Sequence, residues 1–172
     1  MRYAKIVYND VVNSDGMALT FYCQGCTHHC PGCFNKDTWN FTGGKEFTDK
    51  ELSEMRYALS NYPYDNIVLL GGEPFDNIPM AMKIIELAQE FNKKVWCYTG
   101  YTIDQIIDKG NWNLSSSYLN MLSCIDVLID GEFREELKNS KLKFRGSSNQ
   151  KIYNARATVS TGTIVELEEY MK

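Results

Sequence analysis

No stretch of this sequence approaches the roughly 18 to 20 consecutive apolar residues that a membrane-spanning helix requires. Its opening segment, MRYAKIVYNDVVNSDG, alternates polar and apolar residues and lacks the apolar centre of a secretory signal. A cytoplasmic protein that does not engage a membrane is expected. An excess of positive charge is missing too: 18 Lys and Arg face 22 Asp and Glu, a net charge of −4, and the lysines are scattered rather than gathered into a stripe. That distribution offers no footprint for a phosphate backbone, so nucleic acid is not an expected partner. There is no low-complexity tract and no Pro/Ser-rich linker, and 44% hydrophobic with 23% charged residues is ordinary globular usage. The 172 residues fit a single domain spanning the whole chain, with its core over about residues 15–156. A domain of this size buries roughly two thirds of the surface its unfolded form exposes.

What the sequence does have is thiols. Six cysteines in a cytoplasmic chain argue for metal ligation or redox chemistry over a disulfide framework. Four of the six fall within eleven residues, Cys23-Gln24-Gly25-Cys26-Thr27-His28-His29-Cys30-Pro31-Gly32-Cys33. The last three have the spacing Cys-x3-Cys-x2-Cys, which a single loop can wrap around one cubane iron–sulfur cluster, with Pro31 and Gly32 suited to the turn between the last two. Three thiolates leave one iron without a protein ligand, and such an iron, like the vacant position on a catalytic zinc, can take a substrate or cofactor.

Two other readings compete for the same thiols. Cys23-x2-Cys26 with Cys30-x2-Cys33 could supply four thiolates to zinc, but zinc ribbons separate their pairs by about a dozen or more residues and the gap here is three. A closed four-cysteine cluster using Cys23 also satisfies the spacing, although Cys23 follows an apolar run where a small thiol packs well in a core. The two histidines, His28 and His29, are expected to be solvated or to bond the loop backbone rather than to ligate metal. Cys97 and Cys124 stand apart and read as buried core thiols.

Along the chain, helical and strand patterns alternate. Ala18 to Tyr22 is a β-branched and aromatic run that would deliver the cysteine loop from a strand end. Thr48 to Ser60 opens with a capping-box pattern and carries Leu52, Met55, Tyr57 and Leu59 at helical spacing. The continuous apolar run from Asn66 to Leu70 reads as a strand buried on both faces and ends at Gly71-Gly72. A helix over Pro79 to Phe91 offers Met82, Ile85, Leu87 and Ala88 for burial. Further on come a strand over Lys94 to Tyr98, short helices over Thr102 to Asp108 and Tyr118 to Cys124, and a strand over Asp126 to Ile129. Four or five strands alternating with helices predict an α/β fold: a partial, open (βα) barrel with a mostly parallel sheet. The cysteine loop, Gly71-Gly72-Glu73-Pro74, Tyr98-Thr99-Gly100-Tyr101 and Asp130-Gly131 all follow strands, so they should meet at the C-terminal rim, where ligands of such sheets bind. There the glycines would let a ligand approach the backbone, and Glu73 could accept bonds from an ammonium group.

Cys26, Cys30 and Cys33 together with Gly71-Gly72-Glu73-Pro74 resemble the radical S-adenosylmethionine family. More closely, FYCQGCTHHCPGCFN, the run from Trp96 to Tyr101, Asp126 to Gly131, and FRGSSNQ (Phe144 to Gln150) are similar to the activases of the anaerobic ribonucleoside-triphosphate reductase, a glycyl-radical enzyme. The resemblance runs to about residue 156. It implies that Cys26, Cys30 and Cys33 ligate a [4Fe-4S] cluster whose fourth iron is chelated by S-adenosylmethionine. It implies further that Gly32, Cys33 and Phe34 lie near the adenine, that Gly71, Gly72 and Glu73 hold the amino group, and that Tyr98, Thr99 and Asp130 contact the sugar and carboxylate. The implied chemistry is reductive cleavage of that cofactor to a 5′-deoxyadenosyl radical, with an electron from flavodoxin or ferredoxin, and removal of a Cα hydrogen from a glycine of the partner reductase. Activases of pyruvate formate-lyase tend to carry lysine where Glu132 stands here. An activase of another glycyl-radical enzyme, or a noncatalytic iron–sulfur or zinc module, is the alternative reading.

Overall fold

A computed structural model describes all of residues 1–172. Seven strands form one sheet: β1 (Arg2–Asp10), β2 (Ala18–Cys23), β3 (Lys45–Glu46), β4 (Asn66–Gly71), β5 (Lys94–Tyr98), β6 (Val127–Asp130) and β7 (Lys151–Asn154). Five α-helices accompany them: α1 (Asp49–Asn61), α2 (Ile78–Glu90), α3 (Ile103–Gly110), α4 (Ser117–Ser123) and α5 (Ala155–Thr161). The strand order is β3-β1-β2-β4-β5-β6-β7. Its centre, β2-β4-β5-β6, is parallel throughout, whereas β1 and β7 pair antiparallel on either flank. The fold is therefore α/β as expected, but the sheet is mixed, has more strands than the expected four or five, and stays open, with β3 and β7 at its edges. No helix is long and apolar enough to cross a membrane.

Local sequence explains most of these elements. Thr48 caps α1 by the predicted box: the Lys50 N–H donates to its hydroxyl oxygen at 3.3 Å, and its own N–H donates to the Glu51 carboxylate at 2.8 Å. Thr102 and Gln105 repeat the device at α3. In α1, however, Met55, Ala58 and Leu59 face the core while Tyr57 is 64% exposed, so the aromatic ring expected inside lies outside.

The central strands bury both faces. Leu19, Phe21, Ile67, Leu69, Val95, Cys97 and Leu128 pack under the helices. The alternating set Val68, Leu70, Trp96, Val127 and Ile129 faces the other way. That second face is covered by no α-helix. Phe144 lies edge-on to Trp96 at 5.0 Å between ring centroids, and Tyr170 lies 5.4 Å from the same ring. Leu167 and Met171 complete the cover. Cys97 is a buried core thiol as expected, but Cys124, at the C-terminus of α4, is only half-buried.

Candidate functional site

Strand β2 ends at Cys23, and the chain passes directly into the cysteine loop. Its first turn is fixed by backbone bonds: the Gly25 N–H donates to the Thr38 carbonyl at 2.6 Å and that of Cys26 to Trp39 at 3.1 Å. The loop after the neighbouring strand β4 is fastened onto it. Gly72 donates its N–H to the Cys23 carbonyl at 2.9 Å, and Glu73 donates to the Gly25 carbonyl at 2.8 Å. Such an approach needs glycine. Gly71 sits at φ +101°, and a Cβ on Gly72 would lie 2.4 Å from the Gly25 carbonyl oxygen. The missing side chains thus admit the backbone of the cysteine loop, where the sequence suggested room for a ligand.

Beside this junction lies a cavity of about 600 Å³ lined by Cys26, Cys30 and Cys33, with Phe34, Gly71, Gly72, Glu73, Tyr98 and Thr99. Nine of the residues picked from sequence therefore share one wall system. Gly32 and Asp130 are not part of it. Phe34 stands at the mouth, 71% exposed, with its ring 5.4 Å from that of Phe133. Sequence reasoning missed the contributions of Val12 and Asn13, and of Leu142 and Lys143. The motif from Phe144 to Gln150, which the sequence marked only by its family resemblance, lines the cavity through Phe144, Arg145, Gly146 and Gln150. Gln150 holds that loop in place: its amide donates to the Gly131 carbonyl at 2.8 Å and its oxygen accepts from the Gly146 N–H at 2.8 Å.

The three cysteines are unpaired and half-buried. No three His, Cys, Asp or Glu groups converge where one metal ion would sit. In a cubane each thiolate binds its own iron, so sulfurs that line one cavity need not converge on a single point to hold that cluster. Burial pushes the Cys26 thiol up to about 11, against a downward pull from the backbone N–H groups of His28 and His29; burial raises Cys30 as well. Cluster assembly must therefore release protons. The Asn35 N–H donates to the Cys33 sulfur at 3.3 Å, a bond of the kind that tunes a cluster's potential. Cys23 differs: it is wholly buried in the core, where burial and then the nearby Glu73 carboxylate hold its thiol far above the ordinary value.

Glu73 was expected to meet an ammonium group, yet its carboxylate is only 1% exposed and already occupied. One oxygen accepts from the Phe75 N–H at 2.9 Å and the Thr99 hydroxyl at 2.8 Å; the other accepts from the Gly100 N–H at 2.7 Å and faces His28 Nε2 at 3.2 Å. Three hydrogen bonds and the contact with His28, whose Nε2 forms no hydrogen bond, surround the carboxylate. His28 is correspondingly neither solvated nor bonded to the loop backbone. Its side chain is 10% exposed and its Nδ1 lies 2.9 Å from Glu132. Burial acts to lower the His28 pKa, but the two carboxylates outweigh it and raise it to about 9. His29 instead stacks on Trp39 at 4.6 Å.

Asp130, at the end of β6, also departs from its expected role. Its carboxylate is 4% exposed and accepts from the Ile103 N–H at 2.8 Å and the Lys151 N–H at 3.2 Å, tying α3 to β7. Burial raises it to about 6, more than those two bonds lower it. Because the folded chain binds this proton more tightly than the unfolded one, Asp130's contribution to stability is largest below about pH 4 and is lost as pH rises through about 6. Urea midpoints at pH 4.5 and 6.5 should therefore show a decline in wild type that is smaller in Asp130→Asn; equal declines would remove Asp130 as its source.

Over the same region that carries these unpaired cysteines and the strand ends around the cavity, the model of the 4Fe-4S single cluster domain family matches residues 12–153, which places the chain among single-cluster iron–sulfur proteins. Relatives narrow this. The anaerobic ribonucleoside-triphosphate reductase-activating protein of Salmonella typhi is 35% identical over 163 residues, covering 91% of this chain and 100% of the relative. Its counterpart in Escherichia coli K12 is 33% identical over 162 residues, with the same coverage, and that of Enterobacteria phage T4 is 32% identical over 159 residues, covering 90% and 94%. This chain belongs to the family of anaerobic ribonucleoside-triphosphate reductase-activating proteins.

Proposed function

We propose that the protein is a radical S-adenosylmethionine oxidoreductase, the activase that installs the glycyl radical of an anaerobic ribonucleoside-triphosphate reductase. The observation that carries this reading is the meeting of Cys26, Cys30 and Cys33 with Gly71 and Gly72 around one cavity, in a chain of that family. When bound, a [4Fe-4S] cluster and S-adenosylmethionine would supply radical chemistry: one electron from reduced flavodoxin or ferredoxin would break the cofactor's carbon–sulfur bond to methionine and a 5′-deoxyadenosyl radical, which would leave as 5′-deoxyadenosine after taking a Cα hydrogen from a partner glycine.

The chain's own residues bind, orient and shield. Cys26, Cys30 and Cys33 hold the cluster and leave one iron for the cofactor. The Gly72 carbonyl, which accepts no hydrogen bond from the protein, receives the amino group in place of the Glu73 side chain. Lys143 and Arg145 line the cavity and offer positive charge to the carboxylate. Cys33 and Phe34 would border the adenine, and Tyr98, held by its hydroxyl bond to the Asn13 carbonyl at 3.0 Å, would border the ribose; Gly32 lies outside the cavity wall. Leu70, Phe133 and Leu142 keep the walls apolar and water out. We read the open sheet as a partial barrel, its uncovered rim admitting a loop of the reductase.

The test is anaerobic: the iron-loaded, reduced protein is mixed with S-adenosylmethionine and the reductase. Cofactor cleavage together with a doublet radical signal on the reductase is expected. Cleavage without that signal would move the assignment to another glycyl-radical partner, and a fully loaded protein that cleaves nothing would reduce it to a noncatalytic module.

A further inference from the structure

The His28 side chain joins its own loop at the rim to the other three. It belongs to the cysteine loop, two residues from Cys26 and two from Cys30. One ring nitrogen faces Glu73 of the loop after β4 at 3.2 Å, and the other meets Glu132 of the loop after β6 at 2.9 Å. The ring also packs against the loop after β5. Tyr101 lies edge-on at 4.5 Å, and a Cβ on Gly100 would come within 2.6 Å of the imidazole, so the backbone there is pressed against it. A second tie runs parallel. The Thr27 N–H and hydroxyl donate to Asp76 at 2.9 and 2.8 Å, and the Tyr101 hydroxyl donates to the same carboxylate at 2.7 Å.

Glu73 gives this contact its meaning. Its carboxylate already organises Phe75, Thr99 and Gly100, and so sets the shape of the cavity wall next to Gly72. Any shift of the cysteine loop would reach that wall through His28. The ring spans the gap between the two carboxylates, with Nδ1 hydrogen-bonded to Glu132 at 2.9 Å and Nε2 in contact with Glu73 at 3.2 Å, a reach that a shorter aliphatic side chain does not reproduce. Glu132 takes part by its side chain, and its backbone carbonyl is itself held by the Asn149 amide at 2.9 Å.

We propose that His28 is a positioning residue which, by bridging Glu73 and Glu132, locks the cysteine loop to the cofactor-binding loops and fixes the separation of cluster and cofactor. The proposal rests on the functional reading given above. It assigns His28 no ligand role and gives Glu132 the role of the second anchor.

The experiment uses the full chain, reconstituted anaerobically, with S-adenosylmethionine itself as probe. Wild type is measured first: a loaded protein that does not bind S-adenosylmethionine sinks the functional reading, and with it this proposal. His28→Ala should take up iron as wild type does but bind S-adenosylmethionine about tenfold more weakly, the scale on which supporting residues act on metal sites. The change that S-adenosylmethionine produces in the electron paramagnetic resonance spectrum of the reduced cluster should be lost or broadened, a signature that mere loss of packing would not give. Glu132→Ala removes one anchor from a half-exposed position and should weaken binding less, about threefold. The double variant should bind no more weakly than His28→Ala, because both act through one bridge. Wild-type affinity with an unchanged spectral response in His28→Ala overturns the proposal, as does a folded His28→Ala that holds no iron, which would make His28 a ligand. Should His28→Ala not fold, Glu132→Ala decides alone, and wild-type affinity in that variant overturns the proposal.

Discussion

Alanine at Cys26, Cys30 or Cys33 abolishes cluster binding and activation, while alanine at Cys23 abolishes neither: this is the expected outcome of the simplest mutational series on this protein. Each of the first three thiols is partly open to the same cavity, and a cubane held by three thiolates cannot keep its place with two. Iron should fall from about four per chain to well below one, and the brown absorbance of the cluster should disappear. Cys23 sits one strand residue before the loop but points into the core, fully buried. A thiol whose ionisation is opposed by burial and by the Glu73 carboxylate makes a poor ligand. Iron analysis of the four single variants decides the matter, and loss of the cluster in Cys23→Ala would return the closed four-cysteine site to consideration.

Glu73→Gln should be the most damaging isosteric change in the chain. It preserves volume, but one oxygen becomes an amide that presents N–H where the Gly100 N–H and His28 now find an acceptor. A buried donor opposed to a donor, and the loss of a bridge between loops, costs about 2–4 kcal/mol. Urea unfolding of the metal-free protein measures that cost without reference to cofactor. In the loaded protein, activity should fall even where iron is retained, since the wall formed by Gly71 to Pro74 and Thr99 to Gly100 depends on this carboxylate. Stability within about 0.5 kcal/mol of wild type would mean that Glu73 is not the hub its contacts describe.

Much of this was legible in local sequence, and the reasons for the failures are physical. Thr48 and Thr102 announce their helices because capping needs only residues three apart. The run from Asn66 to Leu70 announces a strand buried on both faces because each side chain meets apolar neighbours on one side or the other. Strand β1 was not assigned although its segment alternates polar and apolar residues: only Tyr3 and Asp10 in it are buried, and the register shifts between Tyr3 and Lys5 and between Val7 and Asp10 show in the pairing alone. Strand β7 is four residues long, with Ile152 and Tyr153 its only buried positions. That Cys26, Cys30 and Cys33 would share one rim with Gly71 and Gly72 was readable in the sequence, and they line one cavity, whereas the true positions of Glu73, His28 and Asp130 were not readable. Their partners, such as Gly100, Glu132 and Lys151, lie tens of residues away, and no local pattern distinguishes a carboxylate that meets a ligand from one that meets backbone amides. Thr99 likewise lines the cavity, but its hydroxyl serves Glu73.

The backbone bonds from Gly72 to Cys23 and from Glu73 to Gly25 carry a thermodynamic corollary. Two occupants seated on loops that share a spine cannot be independent. Whatever factor the iron site lends to retention of the nucleoside, the nucleoside returns to the iron, since heterotropic coupling between two equilibria is reciprocal. Under the proposed function, affinity for the cluster and affinity for the nucleoside are then linked through two peptide groups.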